Sequence, residues 1–181
     1  VGLIGVGAYV AETPELPFSL GALYAELTDG DPRTRLPAAM AARADAARPL
    51  SAGCAKALTD FCSASENTFA GVKQTITSRL GLWINPRVCA ATEASDFDLR
   101  DLRERRISLY LTVSPDNLAR VAPLYNLLLQ QLVDLNTREL PGDGKHMIPV
   151  LMLMDEFARL GHPAVIARGF SYVAGYGLRL L

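Results

Sequence analysis

The spacing of apolar positions changes character near Trp83. Ahead of it, hydrophobic residues recur at helical intervals and helix punctuation is frequent. An apolar helix is predicted over 1–12, stopping before Pro14. Ser19 can cap a helix over 20–27, which Asp29-Gly30 ends. The alanine-rich stretch 37–47 has good helix propensity. Ser51 can cap a helix running to about Cys62, and Ser65 another. In the latter, Phe69, Val72, Ile76 and Leu80 fall on one helical face, and Asn85-Pro86 breaks it.

After Trp83 the pattern alternates. Residues 107–113 are β-rich and bounded by Ser114-Pro115. An amphipathic helix is predicted over 116–138, where Leu118, Val121, Tyr125, Leu128, Leu129 and Leu132 repeat at helical spacing. A turn-rich loop covers 141–145. Residues 148–154 form a nearly continuous apolar run, which suits a parallel strand covered on both faces. A helix over 163–174 and the start of a strand at 178–181 follow. Strand, helix, strand, helix, strand is the order of a parallel α/β sheet, with 107–113 and 148–154 in one sheet. The fold class is therefore α/β. Residues 1–83 are read as an all-α subdomain and 84–181 as part of a doubly wound core.

Composition narrows the function classes. The 181 residues are 50% hydrophobic and 20% charged, an ordinary globular balance. The net charge is −1, and seven acids face seven bases between Pro14 and Leu80. Neither is the footprint of a nucleic-acid binder. The apolar opening 1–11 is shorter than the roughly 20 residues that cross a bilayer, and no signal peptide precedes it. It reads as a buried helix cut from a longer protein. Cys54, Cys62 and Cys89 lack metal-binding spacing and read as small hydrophobes in a reducing compartment.

One motif carries chemistry. The run from Val150 to Met154 ends in Asp155-Glu156. Ligands of open parallel sheets lie beyond the carboxyl ends of the strands. There Asp155 can hold Mg²⁺ through water, and Glu156 can orient and deprotonate an attacking water. This is the Walker B arrangement; a strand end that happens to be acidic is the competing reading. No phosphate loop of the form G-x-x-x-x-G-K-[ST] accompanies it. Gly144-Lys145 is followed by His146, and Glu139 stands where the first glycine belongs. Gly2, Gly5 and Gly7 lack a following Lys-Ser or Lys-Thr. The chain holds half a nucleotide site, with no Walker A.

Longer matches lie in the second half. They are Asn85-Pro-Arg-Val, Ser95-Asp-Phe-Asp-Leu-Arg-Asp-Leu-Arg103, Ile107-Ser-Leu-Tyr-Leu-Thr-Val-Ser-Pro-Asp-Asn-Leu118 and Asp134-Leu-Asn-Thr-Arg-Glu-Leu140. Leu153-Met-Asp-Glu-Phe-Ala-Arg-Leu-Gly161 and Tyr172-Val-Ala-Gly-Tyr-Gly-Leu-Arg179 follow in order. Together they resemble the TraG-type coupling proteins of conjugation and type IV secretion. The resemblance implies a piece of a RecA-like P-loop NTPase with an inserted all-α domain. It implies a homo-hexameric ATPase of the bacterial inner membrane, of which this chain is a soluble cytoplasmic part. Its partners would be a relaxase complex on DNA and the proteins of the secretion channel. ATP and Mg²⁺ would bind the full-length protein, with Asp155 and Glu156 as its Walker B acids, and not this piece alone. Two other readings stay open: another RecA-like DNA translocase, and a non-catalytic docking module built on the helical half.

The remaining charged residues have plainer readings. Arg100, Arg103, Arg105 and Arg106 are interleaved with Asp96, Asp98, Asp101 and Glu104, as in a solvated charged turn. Arg159, Arg168 and Arg179 could each act in trans on a neighbour's phosphate, but surface or capping roles are commoner. His146 and His162 read as loop residues, and Phe69 and Trp83 as core.

Overall fold

The computed structural model describes residues 2–142, 147–155 and 172–181. They form two compact units, Val1–Ser95 and Asp96–Leu181. Trp83 lies inside the first. It is buried, and its indole N–H donates to Thr92 Oγ1 at 2.9 Å.

The first unit is helical. Its α-helices are α1 (Gly2–Ala11), α2 (Leu20–Thr28), α3 (Pro32–Asp45), α4 (Ala52–Cys62), α5 (Glu66–Arg79) and α6 (Pro86–Thr92). Local chemistry sets most of the starts. Ser19, Ser51 and Ser65 each accept a hydrogen bond from the main-chain N–H three residues on, at Ala22, Cys54 and Thr68. That satisfies one of the donors a helix leaves unpaired at its start. Two starts differ from the sequence expectation. Helix α3 begins at Pro32, ahead of the alanine-rich stretch, because Asp31 caps it and proline suits the first turn. Asn85-Pro86 does not merely break a helix; Asn85 caps α6 and Pro86 begins it.

Helix α1 packs chiefly on α4. Val6, Leu27, Leu36 and Leu58 are fully enclosed, and the rings of Phe61 and Phe69 meet at 4.8 Å between centroids. Phe69 is thus core, as its position on the helical stripe indicates. The α1–α4 approach is close at Gly5, where a Cβ would lie 3.1 Å from the main chain of Ala57.

The second unit is a small α/β arrangement. Helix α7 (Leu118–Asn136) carries the amphipathic stripe. Two short strands, β1 (Val150–Met152) and β2 (Leu178–Leu180), pair in parallel with Val150 opposite Leu178. Leu129, Leu132 and Val133 of α7 share one core with Val150, Met152, Val173 and Leu178.

The segment 107–113 is not a strand. Among the described residues the sheet has two strands only, and the parallel partner of β1 is β2. Ile107, Leu109, Tyr110 and Leu111 are all exposed. β-propensity measures fit to a pleated, half-buried surface, and among the described residues this run has no ladder partner, nor does it have a buried face. Nor is β1 covered on both sides: Val150 and Met152 are buried, while Leu151 is 52% exposed. The expected helix over 163–174 falls mostly outside the described residues. Its last two positions fall in a 3-10 turn, Val173–Tyr176, closed by Gly177 at φ +77°. No described helix is long and apolar enough to cross a membrane.

Candidate functional site

The hydrogen-bond ladder defines where β1 ends. Val150 N donates to Gly177 O at 3.0 Å, Leu181 N to Met152 O at 3.0 Å, and Met154 N to Leu181 O at 2.9 Å. Asp155 follows Met154 directly, in an exposed turn at the carboxyl end of the parallel pair. That is the end at which ligands of parallel sheets collect.

Asp155 borders a half-open cleft of about 410 Å³. Its walls are largely apolar, with Leu118, Leu129 and Leu153, and carry the polar groups of Thr112 and Tyr125. Burial pushes the Tyr125 hydroxyl above its ordinary pKa. The segment 111–113 therefore lines the cleft even though it is no strand.

Glu156, the expected water-activating acid, lies outside the described residues. So do Arg159, Arg168, His146, His162 and the Gly144-Lys145 pair. Arg179 sits in the middle of β2 with its side chain exposed. Among the described residues, no three acids, histidines or cysteines cluster closely enough to hold a metal by themselves.

The arginine cluster divides. Arg100 donates to both carboxylate oxygens of Asp98 and holds that carboxyl down to about 2. Arg105 pairs with Asp101 one helical turn away. These two form the solvated charged turn that the alternating signs indicate. Arg103 does not. It is 6% exposed, and burial lowers its pKa. Its guanidinium donates to the carbonyls of Tyr176 at 2.7 Å and Gly177 at 3.2 Å. Its own carbonyl accepts from Ile148 N at 2.8 Å. No carboxylate faces it among the described residues, and its Nε has no partner. Charge alternation could not reveal this, because burial is decided by what folds over the turn. The one available signal was Gly175-Tyr176-Gly177 ahead of an apolar run, which marks a tight turn into a strand.

Residues 40–181 match the family described as "Type IV secretory system Conjugative DNA transfer". The chain belongs to this family. It is 48% identical over 103 residues to "Protein VirD4" of Agrobacterium fabrum, covering 56% of this chain and 15% of that protein. It is 46% identical over 102 residues to "Protein VirD4" of Rhizobium rhizogenes, with the same coverage of both. A "Conjugal transfer protein TraG" of Escherichia coli is 30% identical over 132 residues, covering 68% of this chain and 20% of that protein. The aligned region thus spans between 15% and 20% of these relatives' lengths. No solved structure matches the chain at a significant level. The resemblance to TraG-type coupling proteins, drawn from the runs in the second half, is borne out.

Proposed function

We propose that this chain is part of a coupling ATPase that links a DNA–relaxase substrate to a type IV secretion channel, with Asp155 and Glu156 as its Walker B acids. The observation that carries the reading is the position of Asp155. In a chain of the conjugative DNA transfer family, its carboxylate follows the last ladder bond of a parallel strand pair and borders a cleft.

The donor chemistry fits Mg²⁺. An exposed carboxylate is a hard oxygen ligand, and Mg²⁺ is commonly held by one or two carboxylates with water and substrate phosphates supplying the rest. When bound, Mg²⁺ with ATP supplies charge neutralisation on the phosphates. This chain's own residues do the rest. Asp155 orients the hydrated cation at the strand end. Glu156 takes a proton from water. The apolar walls of the cleft limit competing solvent.

In the same reading, the second unit belongs to a RecA-like P-loop core whose phosphate loop is supplied outside these residues. The helical residues 1–83 are the inserted all-α subdomain. The assembly is a homo-hexamer at the inner membrane, and its partners are the relaxase complex, DNA and the channel proteins.

The experiment is a pair of substitutions in the full-length protein. Glu156→Gln should keep nucleotide affinity and slow hydrolysis by about 10²–10⁴-fold, the usual worth of a general base. Asp155→Asn should weaken Mg²⁺-dependent nucleotide binding as well as turnover. Normal turnover by Glu156→Gln would remove Glu156 from the chemistry.

A further inference from the structure

Arg103 sits where three pieces of the second unit meet, and among the described residues none of its hydrogen bonds or ion pairs is with an acid. Taking a guanidinium out of water is costly unless strong hydrogen bonds replace the lost hydration. Here the replacements are two main-chain carbonyls, at Tyr176 and Gly177. Both belong to the turn that delivers the chain into β2. Gly177 in turn accepts from Val150 N, the first ladder bond of β1. Through its own carbonyl, Arg103 also holds Ile148 N, just ahead of β1. One residue therefore grips the amino ends of both strands.

The fit leaves no room for variation at the turn. Gly177 has φ +77°, which disfavours any side chain, and a Cβ there would lie 3.0 Å from Arg103 Nη1. The guanidinium occupies the space that a side chain would need.

The two-strand ladder is short, running from Gly177 to Leu181 on one side and from Val150 to Met154 on the other. A slip of one residue in such a pair moves the strand by about 3.3 Å and turns every side chain to the other face. Arg103 closes the amino end of the ladder, and Asp155 stands just past its carboxyl end.

We propose that Arg103 is a positioning residue for the acid end of β1: by pinning the Tyr176–Gly177 turn with its guanidinium and Ile148 with its main-chain carbonyl, it fixes the register of β1 on β2 and so the placement of Asp155. The proposal rests on the ATPase reading for its chemical consequence, but not for the register itself. A misplacement of about 1 Å in a catalytic constellation costs on the order of 10²-fold in rate. Arginine is needed here rather than any cation, since a lysine has one compact donor group and cannot span two carbonyls as a planar fork does.

The test has two readouts. The first is amide hydrogen exchange in the whole 181-residue chain, comparing wild type with Arg103→Met, Arg103→Lys and Gly177→Ala. Exchange at Val150, Met154 and Leu181 should quicken by about tenfold or more in all three, while Leu132 and Val133 of α7 hold. The second is ATP turnover in the full-length protein. Arg103→Met and Arg103→Lys should lose about tenfold or more in kcat with KM nearly unchanged, the mark of lost transition-state placement. Arg100→Ala, which breaks only an exposed pair, should move neither readout. Unchanged exchange at Met154 and Leu181 would overturn the proposal. So would a uniform rise across the unit or loss of the fold in every variant, since either makes Arg103 a general stabiliser. Full rescue by lysine would assign the role to charge and overturn it too, as would normal kcat with altered exchange. A wild-type protein without ATP turnover would sink the ATPase reading, while the exchange pattern would still decide whether Arg103 sets the register.

Discussion

The carboxylate of Glu12, just past the end of α1, accepts from both the main-chain N–H of Ser51 at 2.7 Å and its hydroxyl at 2.6 Å. Ser51 Oγ in turn accepts from Cys54 N, the cap of α4. The end of one helix is thereby tied to the start of the helix it packs on, and the negative charge sits near a helix N-terminus, where it is favoured.

Ser51→Ala should destabilise the chain by about 1 kcal/mol, the usual worth of a cap. Glu12→Ala should cost a similar amount, and Glu12→Gln less, because the amide oxygen still accepts one bond. The Ser51 hydroxyl first, then its backbone N–H, hold the Glu12 carboxyl below its ordinary 4.5. A lowered folded-state pKa means that this contribution is full above pH 4.5 and is lost as pH falls through the folded value. Urea unfolding between pH 3 and 7 should show wild type losing this part on acidification, with Glu12→Ala lacking it.

Gly5 and Gly7 lie in the same helix and should respond oppositely to alanine. At Gly5 the added Cβ would meet Ala57 main chain at 3.1 Å, and α1 cannot move without disturbing the α4 core. Gly5→Ala should destabilise by about 1–3 kcal/mol. At Gly7 the Cβ would make an ordinary contact with Leu23 at 3.7 Å. Gly7→Ala should stabilise by about 0.5–1 kcal/mol through helix propensity. Thermal melts of both variants check the sign.

Arg33 holds the α4–α5 junction. Its guanidinium donates to Cys62 O at 3.0 Å, Ala64 O at 2.9 Å and Glu66 Oε2 at 2.6 Å, and lies 5.2 Å from the Phe69 ring centroid. Arg33→Met should cost about 1–3 kcal/mol, because two carbonyls lose their donors. Glu66→Gln should cost less than about 1 kcal/mol, since Glu66 is 82% exposed and its pair is screened. Denaturant midpoints in low and high salt separate the two: the Glu66 effect should shrink with salt, while most of the Arg33 effect, which comes from the two carbonyls, should remain.

The chain by itself should bind ATP weakly. Phosphate affinity in P-loop proteins comes mainly from main-chain N–H groups and the lysine of a loop that none of the 181 residues supply. One carboxylate directed at Mg²⁺ does not replace it. Calorimetry with ATP and Mg²⁺ should give no binding at micromolar concentrations; a micromolar Kd would count against the half-site reading.

What sequence alone determined was local. The serine caps at Ser19, Ser51 and Ser65, the stripe of α7 and the apolar run ending in Asp155 all follow from interactions within a few residues, so each could be read before any fold was known. Tertiary structure decided what depends on partners distant in the chain. Residues 107–113 have a strand's composition, yet a strand exists only where another main chain completes its hydrogen bonds, and β1 is paired with β2 instead. Arg103 has the same neighbours in sequence as the exposed Arg100 and Arg105. It is buried because Tyr176 and Gly177, more than seventy residues on, bring two carbonyls to its guanidinium, and nothing in the charge pattern encodes that meeting.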